Sequence, residues 1–541
     1  MTILIQFRFR TDSIEGRVCV RRARVPVAPL VLPSVSDLIF VLLFLSLAVG
    51  PLARRLLGDA GIGWHIRTGE LILHSGSVPR VDSFSSLMSG KPWYAWEWLY
   101  DAGIGAIHHA WGLNGVVLFS ALVIALTFTL VFRLMRARGT SLPIAVGMLL
   151  LAVSASTIHF FARPHILSWL FTVIWFGVLQ RFEADGQARR LLWLPILMLA
   201  WVNLHGGFLV GLVLLGIYAI SALVRGLWSG IGPGDDWQRA RALGIAGVAS
   251  SALTFANPYG YQLHVHIFRY LTDRFLMDHI DEFLSPNFHG IAQKCFAAIL
   301  LLTFVGAVAR RKLSVSQLLV IGFAVYSGLY SSRNIPVSSM LLVLVIAPQL
   351  SAAMAEGAAS AEVSGRVRRS LARLQDFGAR TSAVDSGLRG HLWVILVVLA
   401  GLWACLHGGH LGSRQLIDAR FDEKRFPVQG VDFLARNRIR EPVFCPDYWG
   451  GYLIYRLYPQ TQVAVDDRHD LYGTEFLKKY LKVVRVEPGW DVALEGMRTN
   501  WVLVPNESAI ANLLKEVPAW KIAYNDDGAV LFRRVVEERG P

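Results

Sequence analysis

The sequence predicts an α-helical multispanning membrane protein of about eleven transmembrane helices, with a C-terminal soluble α/β domain on the outer side. Three observations predict it. Apolar runs near the length needed to cross a hydrocarbon layer of roughly 30 Å recur through the first 410 residues. The 541-residue chain is 54% hydrophobic and only 17% charged. Its net charge of +14 lies wholly in those 410 residues, because the last 131 balance 19 basic against 19 acidic side chains. A nucleic-acid binder would cluster its Lys and Arg on a polar surface. Here they alternate with apolar runs, which excludes nucleic acid as a partner and makes membrane lipid the surrounding medium.

A basic segment, residues 1–37, precedes the first run, and no small-residue cleavage site follows it, so an uncleaved first helix is expected. The candidate spans are 38–56, 113–135, 141–160, 166–181, 191–204, 208–228, 242–257, 291–309, 315–331, 337–355 and 391–408. With the N-terminus cytoplasmic, the inner segments hold 24 Lys and Arg and the outer loops 10, the orientation that the positive-inside rule selects. Histidine played no part in that count, yet 14 of the 15 histidines fall on the outer side, all but His391. This divides the chain into a cytoplasmic segment 1–37, a transmembrane domain 38–410 with a large outer loop 54–112, and an extracytoplasmic domain 411–541, in a cytoplasmic membrane. The four cysteines, Cys19, Cys295, Cys405 and Cys445, stand too far apart in sequence for a zinc cluster motif or a disulfide framework.

Polar residues gather at the outer helix ends. The first outer loop contains Gly58-Asp59, Trp64-His65-Ile66-Arg67-Thr68-Gly69, Pro79-Arg80-Val81-Asp82-Ser83-Phe84-Ser85 and Pro92-Trp93-Tyr94-Ala95-Trp96-Glu97-Trp98. The apolar spacing from Ile62 to Leu73 predicts a short amphipathic helix lying in the membrane interface. Later clusters are Ala162-Arg163-Pro164-His165, Asn203-Leu204-His205-Gly206-Gly207, Asn257-Pro258-Tyr259-Gly260 and Arg333-Asn334-Ile335-Pro336. Pro and Gly break each helix there and free backbone groups to line a cavity.

In the last domain, Pro442–Cys445, Gln462–Asp466 and Trp501–Pro505 read as buried strands, and Tyr448–Leu457, Thr474–Val484 and Ser508–Val517 as helices. Trp520–Val535 reads as a hairpin around Asn525-Asp526-Asp527-Gly528. Two clusters, Asp447 to Tyr452 and Asp466 to Tyr472, follow strand ends, where open α/β sheets bind ligands. Turn capping and packing onto the membrane domain explain them equally well.

The strings G-D-x-x-x-x-W-H-x-x-T-G, P-R-x-D-x-F-S, P-W-x-x-x-E-W-L, A-R-P-H, N-L-H-G-G-F, N-P-Y-G, R-N-x-P, Y-W-G-G-Y-L and D-D-R-x-D-x-Y resemble a bacterial group of membrane proteins similar to the GT-C superfamily of polytopic glycosyltransferases. The resemblance spans roughly residues 35 to 535. It implies a polyprenyl-phosphate-linked sugar donor, a lipid, glycan or protein acceptor, and an acidic residue at the outer end of the first helix, matched here by Asp59. The chemistry asks for the same parts. Inverting transfer needs a carboxylate to accept the acceptor hydroxyl's proton, and the leaving phosphate needs cations, for which arginine has the better geometry. Asp82 and Glu97 are reserve carboxylates. His65, Arg67, Arg163, His165, Asn203, His205, Asn257, Tyr259, Arg333 and Asn334 are the candidate substrate and phosphate contacts. The residues call for no cofactor. A divalent metal stays open, through His407 with His410 on one helix or through convergence of His65, His165 and His205. A flippase or transporter of a lipid-linked saccharide and a noncatalytic envelope scaffold are the competing functions, although no inverted repeat of the kind many transporters carry is visible.

Overall fold

The computed structural model describes residues 31–49, 51–228, 235–308, 312–388 and 390–535. Most of the basic N-terminal segment lies outside the described residues. The membrane part is built from α1 (Val35–Ala48), α2 (Gly61–Ser75), α3 (Trp98–Ala137), α4 (Leu142–Ser156), α5 (His165–Asp185), α6 (Trp193–Leu204), α7 (Phe208–Trp228), α8 (Asp235–Leu253), α9 (Ile291–Val308), α10 (Val315–Tyr330), α11 (Ile335–Ala359), α12 (Gly365–Gly387) and α13 (Leu392–Leu406).

Local chemistry sets the helix ends. Ser34 accepts a hydrogen bond from the Asp37 amide while the Asp37 carboxylate accepts from the Ser34 amide, a reciprocal cap that starts α1. Ser314 and Gln317 start α10 in the same way. Gly112, at φ 59° and ψ −156°, breaks α3 into a shorter front segment and a long apolar span, close to the boundary that composition marks. Pro336 sits in the first turn of α11, where no amide hydrogen is needed.

Among the described residues six helices are long and apolar enough to cross a membrane, and α12 with α13, bent by 68°, makes a seventh if the pair is one span. The sequence suggested eleven. Each of the eleven segments contains a helix, but α6 has 12 residues and at 1.5 Å per residue reaches only about 18 Å. Asp235, Asp236, Arg239 and Arg241 make the first two turns of α8 polar. α1 and α10 are apolar but short. Two helices form the centre. α3 packs against α1, α2, α5 and α13; α11, buried along nearly its whole apolar length, packs against α4, α9 and α10.

The amphipathic helix expected at the membrane interface is instead an internal strut. α2 has Ile62, Trp64, His65 and Ile66 all at 6% exposure or less, clamped between α3 and helix α14 (Asp447–Leu457) of the C-terminal domain. Glycine makes this possible. A Cβ on Gly63 would run into the Gly451 carbonyl, and one on Gly69 into the Asp101 carbonyl, so both crossings close backbone to backbone. Small residues serve helix association in membranes because lipid gives little hydrophobic drive between helices.

The C-terminal domain carries a four-stranded sheet in the order β1-β2-β4-β3: β1 (Val443–Phe444), β2 (Trp501–Pro505), β3 (Trp520–Asn525) and β4 (Ala529–Arg534). β1 and β2 are parallel and the rest antiparallel, with the expected hairpin between β3 and β4. Gln462–Asp466, expected as a strand, makes only isolated bridges through Val463, one to Val443 and one to Ser85 of the first outer loop. That second bridge shows why: the segment is shared between the domain and the loop lying against it. α15 (His469–Val484) is kinked at Gly473.

Candidate functional site

One set of helix ends and the C-terminal domain enclose a cavity of about 640 Å³. Asp59, Glu97, Arg163 and Arg333 line it from the membrane side, and Asp447, Asp467, His469 and Asp470 from the domain side.

Its centre is a carboxylate pair on one guanidinium. Arg163 Nη1 lies 3.2 Å from Asp59 Oδ2 and 3.7 Å from Asp467 Oδ2. Asp59 Oδ1 accepts from the Gly61 amide at 2.8 Å, and Asp467 Oδ1 from Trp64 Nε1 at 2.9 Å. Gly61 leaves room for both: a Cβ there would stand 2.7 Å from Asp467 Oδ2 and 2.9 Å from Asp59 Oδ1. Burial drives the Asp467 carboxyl up to about 7, against the pull of Arg163 and with help from the Asp59 charge. Burial works against the Arg163 charge, but Asp59 and Asp467 overcome it and hold its pKa above the ordinary range.

Glu97 forms a second centre. Its Oε1 faces His205 Nε2 at 3.5 Å and its Oε2 faces His65 Nε2 at 3.7 Å, both beyond hydrogen-bond reach. Burial lifts this carboxyl to about 7. Behind it His65 Nδ1 meets Asp101 at 2.6 Å, and burial pulls the imidazole well below its ordinary pKa. His205 Nδ1 is hydrogen-bonded to Ser168 and accepts from the Gly207 amide, which orients the ring toward Glu97.

At the far wall Arg333 pairs with Glu282 at 2.8 Å and lies over the Phe283 ring. Burial opposes ionisation of Glu282, but Arg333 and Arg163 bring its pKa down to about 2. On the domain side His469 Nε2 meets Asp447 Oδ2 at 2.9 Å, and Tyr480 donates to Asp447 Oδ1. Burial disfavours the His469 charge, yet Asp447 more than offsets it and raises the imidazole pKa.

The other candidates, Asp82, Arg67, His165, Asn203, Asn257, Tyr259 and Asn334, are not among the residues that line the cavity. Asp82 is buried away from the cavity. It accepts from the Phe84 and Ser85 amides and pairs with Arg468 at 2.7 Å. Arg468 also pairs with Asp466 at 2.7 Å and lies 4.7 Å over the Trp93 ring and 5.2 Å over Phe84. The strings P-R-x-D-x-F-S, P-W and D-D-R therefore meet at one buried cation that joins the first outer loop to the domain. Arg67 donates to the Tyr455 carbonyl and pairs with Glu70. His165 is hydrogen-bonded to the His159 carbonyl. Asn203 accepts from Trp98 Nε1, and Asn334 donates to the Ser327 carbonyl. Asn257 closes its own turn, accepting from the Tyr259 amide and donating to the Gly260 carbonyl. The Tyr259 hydroxyl accepts from the Ala95 amide and donates to the Pro79 carbonyl.

His407 caps the end of α13 while His410 lies beyond it in an extended strand, so the two are not one turn apart on a helix. His65 and His205 meet at Glu97, and His165 is held by His159. Among the described residues no group of three or more His, Cys, Asp and Glu is arranged to hold a metal ion.

Sequence reasoning passed over Asp467 and His469 as individual site residues, although their cluster was marked as following a strand end. Glu282 and Arg425 carried no motif signal.

The chain shares its fold with solved structures of an archaeal oligosaccharyltransferase. It is similar to the Archaeoglobus fulgidus oligosaccharyltransferase tethered to an acceptor peptide containing the NVT sequon, with TM-score 0.51 and 12% identity over 87% of this chain and 69% of that one. The apo form of that enzyme gives TM-score 0.50, with the same identity and coverage. ArnT from Cupriavidus metallidurans bound to undecaprenyl phosphate aligns over 93% of this chain and 98% of that one, with 15% identity and TM-score 0.46. No family model and no curated protein matches the sequence.

Proposed function

We propose that this chain is a multi-pass glycosyltransferase of a cytoplasmic membrane, moving a sugar from a polyprenyl-phosphate-linked donor to an extracytoplasmic acceptor. One observation carries the reading: a cavity of about 640 Å³ at the outer helix ends gathers Asp59, Glu97, Arg163 and Arg333 under a domain that adds Asp467 and His469. The fold shared with the archaeal oligosaccharyltransferase agrees with it.

In this reading the acceptor hydroxyl oxygen attacks the sugar's anomeric carbon. The bond from that carbon to the donor phosphate oxygen breaks, its electron pair leaves with the phosphate, and the hydroxyl proton passes to Asp59. Asp59 suits the role because the Gly61 amide and Arg163 hold it in one orientation. Asp467 shares the same guanidinium, and burial pushes its carboxyl up to about 7. Arg333, with Arg425 lying beside Gly58, supplies positive charge for the leaving phosphate. The proposed division into transmembrane domain 38–410 and extracytoplasmic domain 411–541 gives the outer domain the roof of the site.

The test is transfer of radiolabelled sugar from its polyprenyl phosphate by purified protein, wild type beside Asp59→Asn. Transfer is expected only in the wild type. Equal transfer by both removes Asp59 as base, and no transfer by the wild type to any lipid, glycan or peptide acceptor removes the enzyme reading.

A further inference from the structure

A second and larger cleft, about 860 Å³, opens between the first outer loop and the external domain. Four cations line it: Lys91 from the loop, Lys479 and Lys482 from α15, and Arg498. Its lining includes no acidic side chain. Of the nearby carboxylates, Glu475 pairs with Lys478 at 2.7 Å, Glu495 with Arg534 at 3.2 Å and Glu487 with Arg485 at 3.9 Å, while Asp491 is exposed beside Val492. All four cations are exposed. The floor between them is apolar, with Met88, Phe476 and Met497. Arg498 is held at φ 51°, a left-handed conformation uncommon outside glycine, and such strain persists only where the surrounding structure fixes it.

α15 divides this cleft from the central cavity. Leu477, Tyr480, Leu481 and Val484 face the cavity, while Phe476, Lys479 and Lys482 face the cleft. The two volumes are thus about one helix diameter, roughly 10 Å, apart.

We propose that the cleft binds an anionic stretch of a glycan acceptor, a saccharide chain bearing carboxylate or phosphate groups, and holds it while its end reaches into the cavity. This rests on the glycosyl-transfer reading and names the acceptor's class. Four cations around one volume call for several anionic groups on one ligand, which a repeating acidic saccharide supplies and a single lipid phosphate does not. The apolar floor takes the less polar faces of the sugar rings.

The experiment is a titration of full-length protein, in nanodiscs of zwitterionic lipid, with tetragalacturonic acid and with its fully methyl-esterified form. The acid should bind with an affinity that falls as salt rises, and the neutral ester should bind far more weakly. Lys479→Glu with Lys482→Glu should weaken the acid about tenfold or more. Lys515→Glu, an exposed reversal away from the cleft, should leave it unchanged. Equal binding of acid and ester, or an unchanged affinity in the double variant, overturns the proposal. So does loss of acid binding when phosphatidylglycerol is added to the nanodisc, which would assign the cleft to lipid headgroups. The same titration on Asp59→Asn separates the two claims, because this variant should bind the acid normally even though it transfers nothing.

Discussion

Arg163 stands 3.2 Å from Asp59, a residue 104 positions earlier in the chain. The pairing fixes a base candidate to a different helix end, and the same guanidinium nitrogen reaches Asp467 of the C-terminal domain. Two carboxylates this close cannot both ionise readily without a cation between them. Arg163→Gln should therefore lower kcat about a hundredfold or more and move the acid limb of the pH–rate profile upward, since the Asp467 carboxyl then loses the cation that pulls its pKa down. A profile measured from pH 5.5 to 9 checks this, and a limb that stays in place would separate Arg163 from the titration of Asp467.

Asp467 gives a stability prediction with a defined sign. Its carboxyl titrates near 4 in the unfolded chain and at about 7 in the fold, so the folded state binds the proton more tightly. Stability is then greatest below pH 4, falls as pH rises toward 7 and levels off above. Asp467→Asn keeps an acceptor for Trp64 and removes that penalty. Its melting temperature should exceed the wild type's by a few degrees at pH 8 and match it at pH 4, while transfer is lost. Identical melting at both pH values would contradict the raised pKa.

Much of this arrangement was legible in the sequence, and the illegible part has a physical reason. The helix-rich membrane part, the break at Gly112 and the hairpin around Asp526 follow from local composition. Asp59, Glu97, Arg163 and Arg333 were legible because each is a charged residue at the end of an apolar run, where ionisable groups turn toward protein or water. α2 was misplaced because an amphipathic stripe looks the same whether its apolar face meets lipid or another helix. Only the contacts of Gly63 with Gly451 and of Gly69 with Asp101 decide that, and they join segments far apart in the chain. Glu282 and Arg425 gave no signal for the same reason: tertiary contact alone brings them to the cavity.

Arg468 is 2% exposed and neutralises two buried carboxylates, Asp82 and Asp466. Arg468→Met fills much of the same volume but leaves both without a cation, a change costing about 3–5 kcal/mol when a buried pair is broken from one side. Because Asp82 belongs to the first outer loop, the loop should loosen from the domain. Limited proteolysis should cut within residues 79–97 faster than in the wild type, and thermal unfolding should begin earlier. The double variant Arg468→Met with Asp82→Asn should recover part of the loss. Failure of the second change to recover any stability would mean that the pair is not the joint between loop and domain.

Gly451 tests whether the external domain positions the base. A Cβ there would meet the Ala60 carbonyl carbon at 2.7 Å and the Gly61 amide at 3.1 Å, and Gly61 is the residue whose amide holds Asp59. Gly451→Ala adds one methyl group about 30 Å³ in size, which a tight backbone crossing takes up by shifting at a cost of about 1–3 kcal/mol. The shift falls on the segment carrying Asp59, so kcat should drop more than tenfold while KM for the donor changes little. Gly528→Ala, in the same domain with only ordinary van der Waals contact around an added Cβ, should leave both constants unchanged. If Gly451→Ala lowers stability alone and keeps the wild-type kcat, α14 supports the fold without setting the geometry of Asp59.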